Sequence, residues 1–521
     1  MSGEDRFGPL LMGLDLGSTN LKAVVYQPDG RSVAQASAHL QTHYPQAGWA
    51  YYDPAELWAQ CCQVIREAIS AVERTDRIVS IAVSSFGEAG ALLDEQGNPT
   101  TNMIAWFDQR SRPQYERMVA GIDPDRLFAI SGTTVQQIMT APKLMWHRDH
   151  EPEAWARAVL FLNAADYIAY RLCGVAAQSR SLASRTGLID LHNGRWSDEL
   201  LALVDLNRSL LAPMIDGGEP LGPVHTDAQA LTGLSAATLV AVGGHDHPCG
   251  ALAAGAVRHG DFLDSMGTTE CLFIALEKPL TSVTMGRQGY TLGAHARGSY
   301  YAYGGLYTAG VCYDWIKAIV AQDSDHEELL AAARAVAPGS LGVTFIPHLR
   351  LSNTPYPDSQ VRGAFIGLTT DVDPAVLVRA VLEGVAFEGR AGLEPLLGFA
   401  GLSPATDGIV VGGTARNRLL LDIKASVSQV TLHVLEIDEA AALGAAMLGG
   451  IAAGIYPDVN GAVSAIKRNE HVVCPNPDHV DRYDRLFADV YQHLYQALRP
   501  YNHALFDLFT GTALSQTQHV G

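Results

Sequence analysis

Two short loops of one design, DLGSTN at Asp15–Asn20 and SMGTTE at Ser265–Glu270, stand about 250 residues apart. Each lies between an apolar run and a second apolar run, LLMGLDL before and NLKAVVY after the first, and GDFLD before and CLFIAL after the second. That grammar reads strand, polar turn, strand. A Gly/Ser/Thr turn of this kind offers successive backbone amides and hydroxyls, the groups that cradle phosphates. A carboxylate at the strand end, here Asp15, can hold a divalent cation directly or through water. The strand-rich opening is followed in both halves by helix–strand alternation, so the chain reads as two related α/β domains joined near Ala254 to Gly260. A third stretch, VVGGTARNRLL at Val410–Leu420, is an apolar strand ending in Gly-Gly before a helix, which suits close approach of a nucleotide. Neither GxxxxGK[ST] nor GxGxxG occurs in these loops, so a P-loop or dinucleotide fold is not indicated.

Length agrees with that division. At 521 residues the chain exceeds one ordinary hydrophobic core. The expected units are 8–257, 258–490, and a C-terminal helix and tail over 491–521, polar and frayed after about Phe509. The net charge of −19 argues against nucleic acid or an anionic membrane as main partner, but not against a nucleotide held by local amides and a cation. Seven scattered cysteines without a CxxC pair, and no basic-then-apolar leader, point to a cytoplasmic protein without disulfides. The longest uncharged run, Ala440 to Tyr456, is too short and too rich in Ala and Gly to span a bilayer. Asp53-Pro54 signals the start of a helix reaching about Val72, and Ile78 to Ser84 reads as a strand.

The stretch GGHDHPCGALAAG, Gly243–Gly255, sets Asp246 between His245 and His247. Three roles suit it: a metal ligand with the flanking histidines, a structural residue beside a helix cap, or the base of an enzyme. Reading Pro248 as the first helical residue predicts a helix over 248–255 with His247 as cap. Asp246 then stands at the positive end of a helix, which favours an ionised carboxylate.

Taken in order, GLDLGSTNLKAVVY, GWAYYDPAELW, IAVSSFGEAGALLDEQGN, AWFDQR, TAPKLMWHRDHEPE, GGHDHPCGALAAGAV, DSMGTTE, GLTTDVDPAVLVRAVLEGVAFEGR, VVGGTARNRLL and DEAAALGAAMLGG resemble the FGGY carbohydrate kinases over about Leu10 to Val490. The resemblance implies two actin/hexokinase-like (ribonuclease H-like) α/β domains with the active site in the cleft between them. It implies ATP and Mg²⁺ as cofactors, a small sugar as substrate, and admits a homodimer. By position it makes Asp246 the catalytic base, which also touches the sugar, and Asp15 the residue near Mg²⁺. Gly17, Ser18 and Thr19 match the first phosphate loop, and Gly267 and Thr268 the second. Gly310 flanks the nucleotide, while Gly413 and Asn417 match adenosine-side positions. Glu88, Trp106 and Asp108 fall where the family lines its sugar pocket, and His247 is a pocket-wall residue.

Departures narrow the substrate. Where glycerol kinases carry a pocket tyrosine this chain has Ile138, and Gly87 replaces the arginine of their Arg-Glu pair. FGEAG resembles the deoxyketohexose kinases, L-fuculokinase among them, but Ala89 stands where those carry aspartate, and TAPKLMW leans toward xylulokinases. The expectation is a kinase for a primary hydroxyl of a ketopentose such as xylulose or ribulose. The alternatives are another ketose or polyol, or a non-catalytic sugar sensor on the same fold.

Overall fold

The computed structural model describes residues 8–134, 136–322, 325–402 and 404–516. Its first half is organised by a six-stranded sheet. Strand β1 (Leu10–Leu16) is buried along nearly its whole length, as a continuous apolar run requires of a central strand. It pairs antiparallel with β2 (Asn20–Tyr26), and β2 with β3 (Ser32–His39), whose alternating exposure marks the edge. On its other side β1 runs parallel to β4 (Ile78–Ser85). Strands β5 (Pro220–Pro223) and β6 (Leu239–His245) complete the order β5-β6-β4-β1-β2-β3, with β6 parallel to β4. Helix α1 (Pro54–Ile69) begins as expected: the Asp53 carboxylate accepts from the amides of Ala55 and Glu56 at 2.8 and 3.1 Å.

The second half repeats this topology. Strands β7 (Phe262–Met266) and β8 (Glu270–Leu276) form the antiparallel hairpin corresponding to β1–β2. Beyond β8 lie β9 (Thr291–Ala294) and β10 (Tyr300–Leu306); on the other side β7 runs parallel to β11 (Asp407–Val411), β11 parallel to β12 (Thr431–Glu436), and β12 antiparallel to β13 (Asn469–Val473). The order is β9-β10-β8-β7-β11-β12-β13, seven strands. Centre, hairpin, two parallel neighbours and antiparallel edge recur in both sheets, so the duplication read from two loops is a duplication of whole domains.

One crossing was not expected. The helix α5 (Ala440–Ala452), inside the 258–490 stretch, packs on the first sheet and on α2 (Asp246–Ala254). Met447 and Leu448 share a core with Leu11, Val24 and Leu252. The approach is backbone to backbone: a Cβ on Gly13 would overlap the Ala442 carbonyl oxygen, and one on Gly444 that of Cys249. After the helix Val459–Ala465 the chain returns to the second sheet at β13. The C-terminal helix Gln492–Gln516 continues past Phe509, where fraying was expected; residues 517–521 lie outside the described residues. No helix among the described residues is long and apolar enough to cross a membrane.

Candidate active site

Three parallel strands of the first sheet end side by side. In register, Asp15 on β1 lies opposite Ser84 on β4, and Ser84 opposite Gly244 on β6. The carboxyl ends of parallel strands are where an α/β sheet opens to a ligand. Asp15, Glu88 just after β4 and Asp246 just after β6 are thereby gathered at one rim. The rim opens on a cavity of about 500 Å³ whose walls include Ser18, Glu88, Trp106, Ile138, Arg185 and Asp246 from the first domain and Thr269, Glu270, Tyr303 and Arg350 from the second. That volume lies within the range of small-molecule sites.

Asp246 opens α2. The helix starts two residues earlier than expected, with His245 as its N-cap and Asp246 as its first residue. Pro248 sits further into the first turn, where a missing N–H is equally harmless, so proline marked the turn and not its first position. Oδ1 of Asp246 accepts the His247 amide at 2.7 Å and lies 3.2 Å from Nε2 of His245. Burial raises the Asp246 carboxyl above its ordinary range, with Glu88 adding to the rise and His247 opposing it. The helix terminus therefore does not leave this group strongly acidic, as the sequence had suggested. Its side chain keeps 31 % exposure, toward the cavity. Burial holds His245 well below its ordinary value and thus neutral. Burial opposes charge on His247 too, yet Asp246 and a hydrogen bond with Cys271 hold it up at about 9. Its ring stacks on Tyr303 at 5.8 Å and lines the cavity. Among the described residues no group of three or more metal-ligating side chains forms, the two histidines included.

Asp15 is half-buried, and the Ser84 hydroxyl donates to its Oδ1 at 2.7 Å. Burial, then the charge of Asp246, pushes its carboxyl up to about 7, against Ser84 and Lys22. Two carboxylates that disfavour each other's charge suit a divalent cation, which would relieve both. The Gly17 amide donates to the Asn20 carbonyl at 3.0 Å, closing the first loop with Ser18 and Thr19 exposed.

The second loop is clamped from behind. Its Gly267 carbonyl accepts from the Gly310 amide at 3.1 Å and from the Thr414 hydroxyl at 3.0 Å, while the Thr268 carbonyl accepts from Ala309 at 3.2 Å. Gly310 opens helix α3 (Gly310–Val320), and a Cβ there would come 2.6 Å from both the Gly267 oxygen and the Thr414 Oγ1. Only glycine lets the two backbones meet. Around Gly413 a Cβ would meet nothing within 4 Å, so this strand-end loop presents open backbone. The Asn417 side-chain oxygen instead caps helix α4 (Arg418–Ser428), accepting from Leu420 at 3.1 Å.

Two sugar-pocket expectations change. Asp108 does not line the cavity: its side chain is fully buried, Arg110 holds it at 2.8–3.0 Å, and the Ala50 amide donates to it. It is an internal brace. Glu88 does line the cavity, but its Oε1 is engaged by Arg185, at 2.6 Å from Nε and 2.5 Å from NH2. Its backbone lies at φ 60°, a conformation uncommon outside glycine, and the buried Lys143 ammonium fastens its carbonyl at 2.7 Å. Burial pushes Lys143 down to about 7, against the attraction of Glu88 and Asp108. Trp106 is half-buried in the cavity wall. Sequence reasoning missed Arg185, Lys143 and Tyr303; TAPKLMW contains Lys143 but carries no sign of its reach.

Residues 10–253 match the N-terminal domain of the FGGY family of carbohydrate kinases, and residues 264–453 its C-terminal domain. A xylulose kinase of Bacillus subtilis (strain 168) is 29 % identical over 497 residues, spanning 95 % of this chain and 98 % of the relative. A glycerol kinase of Dechloromonas aromatica is 28 % identical over 502 residues, 93 % of this chain and 97 % of the relative. The crystal structure of a xylulose kinase from Rhodospirillum rubrum superimposes with a TM-score of 0.87 at 29 % identity, covering 95 % of this chain and 100 % of that one. With both domain matches covering most of its length, and strand ends and glycine loops meeting in one cleft, the chain belongs to the FGGY family of carbohydrate kinases.

Proposed function

We propose that this carbohydrate kinase transfers the terminal phosphoryl group of ATP to a primary hydroxyl of a ketopentose such as D-xylulose or D-ribulose. The observation that carries the reading is one cavity lined at once by Asp246, Glu88, Trp106 and residues of both phosphate loops. The similarity to xylulose kinases and the replacement of the glycerol-pocket tyrosine by Ile138, which lines this cavity, favour more than three carbons.

Asp246 takes the proton of the attacking hydroxyl. The two loops hold the phosphates, Ser18, Thr19 and Thr268 through their amides while the Gly17 and Gly267 amides close the turns, with Gly310, Gly413 and Asn417 on the nucleotide side. Asp15 is the residue to hold Mg²⁺, which when bound supplies charge neutralisation on the phosphates. Glu88 accepts from a sugar hydroxyl with the oxygen Arg185 leaves free, and Trp106 covers the carbon skeleton.

ADP release measured against ketopentoses, ketohexoses, deoxyketoses, polyols and glycerol tests this. A ketopentose should exceed glycerol in kcat/KM by at least about a hundredfold, roughly 2.7 kcal/mol. Glu88→Gln should erase most of that preference, mainly through KM. Glycerol or a 6-deoxyketohexose as best substrate would overturn the pentulose assignment and leave the kinase intact.

A further inference from the structure

Arg185 occupies the place that Gly87 leaves open. A Cβ on Gly87 would lie 3.0 Å from Arg185 Cγ and 3.2 Å from its Cβ, so the arginine stem fills the space a side chain at 87 would need. The guanidinium comes from a segment 97 residues away in the chain and meets the Glu88 carboxylate. Both charged side chains are nearly buried, at 4 % and 7 % exposure, and both border the cavity. Nε and NH2 converge on the single oxygen Oε1, while NH1 is buried on the side of the Tyr301 hydroxyl, away from the cavity. Beneath the guanidinium, 5.5 Å from Cζ, lies the Tyr303 ring, which also stacks on His247 beside Asp246. Arg185, Glu88, Tyr303 and His247 thus form one wall next to the base.

A buried ion pair that served only the fold would engage its donors, because an unmade hydrogen bond in a dry site is costly. This pair uses one N–H of NH2 and one oxygen of the glutamate, so the second N–H of NH2 and the glutamate Oε2 stay unengaged with each other. We propose that Arg185 is a substrate-binding, specificity-determining residue: it donates to one sugar oxygen while Glu88 accepts from a neighbouring hydroxyl. The inference rests on the sugar-kinase reading of the same cavity.

The test uses the full-length enzyme with whichever sugar of the panel it turns over best. Arg185→Lys keeps the charge but loses the planar fork. It should raise the sugar KM by about tenfold or more and leave the ATP KM within about twofold, the scale of one hydrogen bond to a charged group. The relocated pair Gly87→Arg/Arg185→Gly should bind the sugar better than Arg185→Gly alone, because a cation returns to the same wall. A folded Arg185→Lys enzyme with sugar KM within about twofold of wild type, or a relocated cation that rescues nothing, overturns the proposal. If these variants do not fold, the wild-type guanidinium ¹⁵N–¹H signals decide. A shift of a buried arginine on adding sugar alone supports the inference, and no shift overturns it. A best substrate other than a ketopentose overturns only the pentulose reading; no turnover of any sugar overturns both.

Discussion

At the scale of single residues, two carboxyl groups at strand ends stand out because burial and a neighbouring carboxylate raise each of them. Asp15 is pushed up to about 7 by burial and by Asp246, and Asp246 is raised by burial and by Glu88. On the proposed roles, base for Asp246 and cation holder for Asp15, both act in the ionised form, so activity is gained as protons leave. Measured as kcat/KM, activity should rise with pH across an acidic limb near pH 7 in the free enzyme. Raising Mg²⁺ should move that limb to lower pH, because a cation favours the ionised Asp15. A limb that stays fixed at all Mg²⁺ concentrations would remove Asp15 from cation binding. Asp246→Asn should lower kcat by roughly 10²–10⁴-fold with sugar and ATP KM little changed. Retention of more than about a tenth of wild-type kcat would sink the base assignment. These two residues were visible in the sequence because each ends an apolar run. Arg185 was not, since SLASRTG has no turn or strand-end signature and its partner lies 97 residues earlier. Asp108 misled for the converse reason: Arg110, two residues on, captures a carboxylate that the pattern alone leaves free.

At the scale of elements, the Ser265–Glu270 loop, proposed to hold phosphate, is fixed from below by a buried charge cluster. Lys424 on α4 reaches Asp264 on β7 at 2.5 Å and Glu270 on β8 at 2.7 Å, tying that helix to the hairpin that bears Gly267 and Thr268. All three side chains are 5 % exposed or less. Burial raises the carboxyls of Asp264 and Glu270, the latter also through Asp264, while the pair of carboxylates holds Lys424 above its ordinary value. Gly389 permits the fit, since a Cβ there would lie 3.1 Å from Glu270 Oε1. Lys424→Met should cost about 3–5 kcal/mol in urea unfolding, because it strands two buried carboxyl groups. It should also raise the ATP KM more than the sugar KM. A variant as stable as wild type would show that the cluster contributes nothing to the fold. The strand–turn–strand hairpins themselves were legible, because apolar runs broken by Gly-Thr turns leave few alternatives. The cluster beneath was not: an isolated lysine in DIKAS reads as a solvated helix face until packing shows otherwise.

At the scale of the whole molecule, two copies of one sheet topology face each other across the cleft, and the chain crosses between them more than once. The α5 helix belongs by sequence to the second half and by packing to the first, a placement that periodicity cannot reveal because it reports burial and not the burying partner. Lys22 on β2 and Glu439, 2.6 Å apart, tie that crossing to the first hairpin. On the opposite rim the domains touch through backbone and hydroxyls: Leu292 donates to the Gly132 carbonyl at 2.7 Å, Ala294 to the Ser184 hydroxyl at 3.0 Å, and the hydroxyls of Thr134 and Thr291 meet at 3.0 Å. A kinase that works in such a cleft must open to exchange sugar and nucleotide and close to exclude water. The threonine pair, its hydroxyls 3.0 Å apart across the contact, is the place to test that motion with an engineered disulfide. Thr134→Cys/Thr291→Cys should be active when reduced, which also shows that the substitutions spare the pocket. Oxidised, it should lose about tenfold or more in kcat and recover with dithiothreitol, as expected where opening limits release of product. Small-angle scattering of the reduced enzyme should show compaction when sugar and a non-hydrolysable ATP analogue are present together. Full turnover by the quantitatively cross-linked enzyme would mean that catalysis proceeds without parting these two strands of contact, and would place any hinge elsewhere in the molecule.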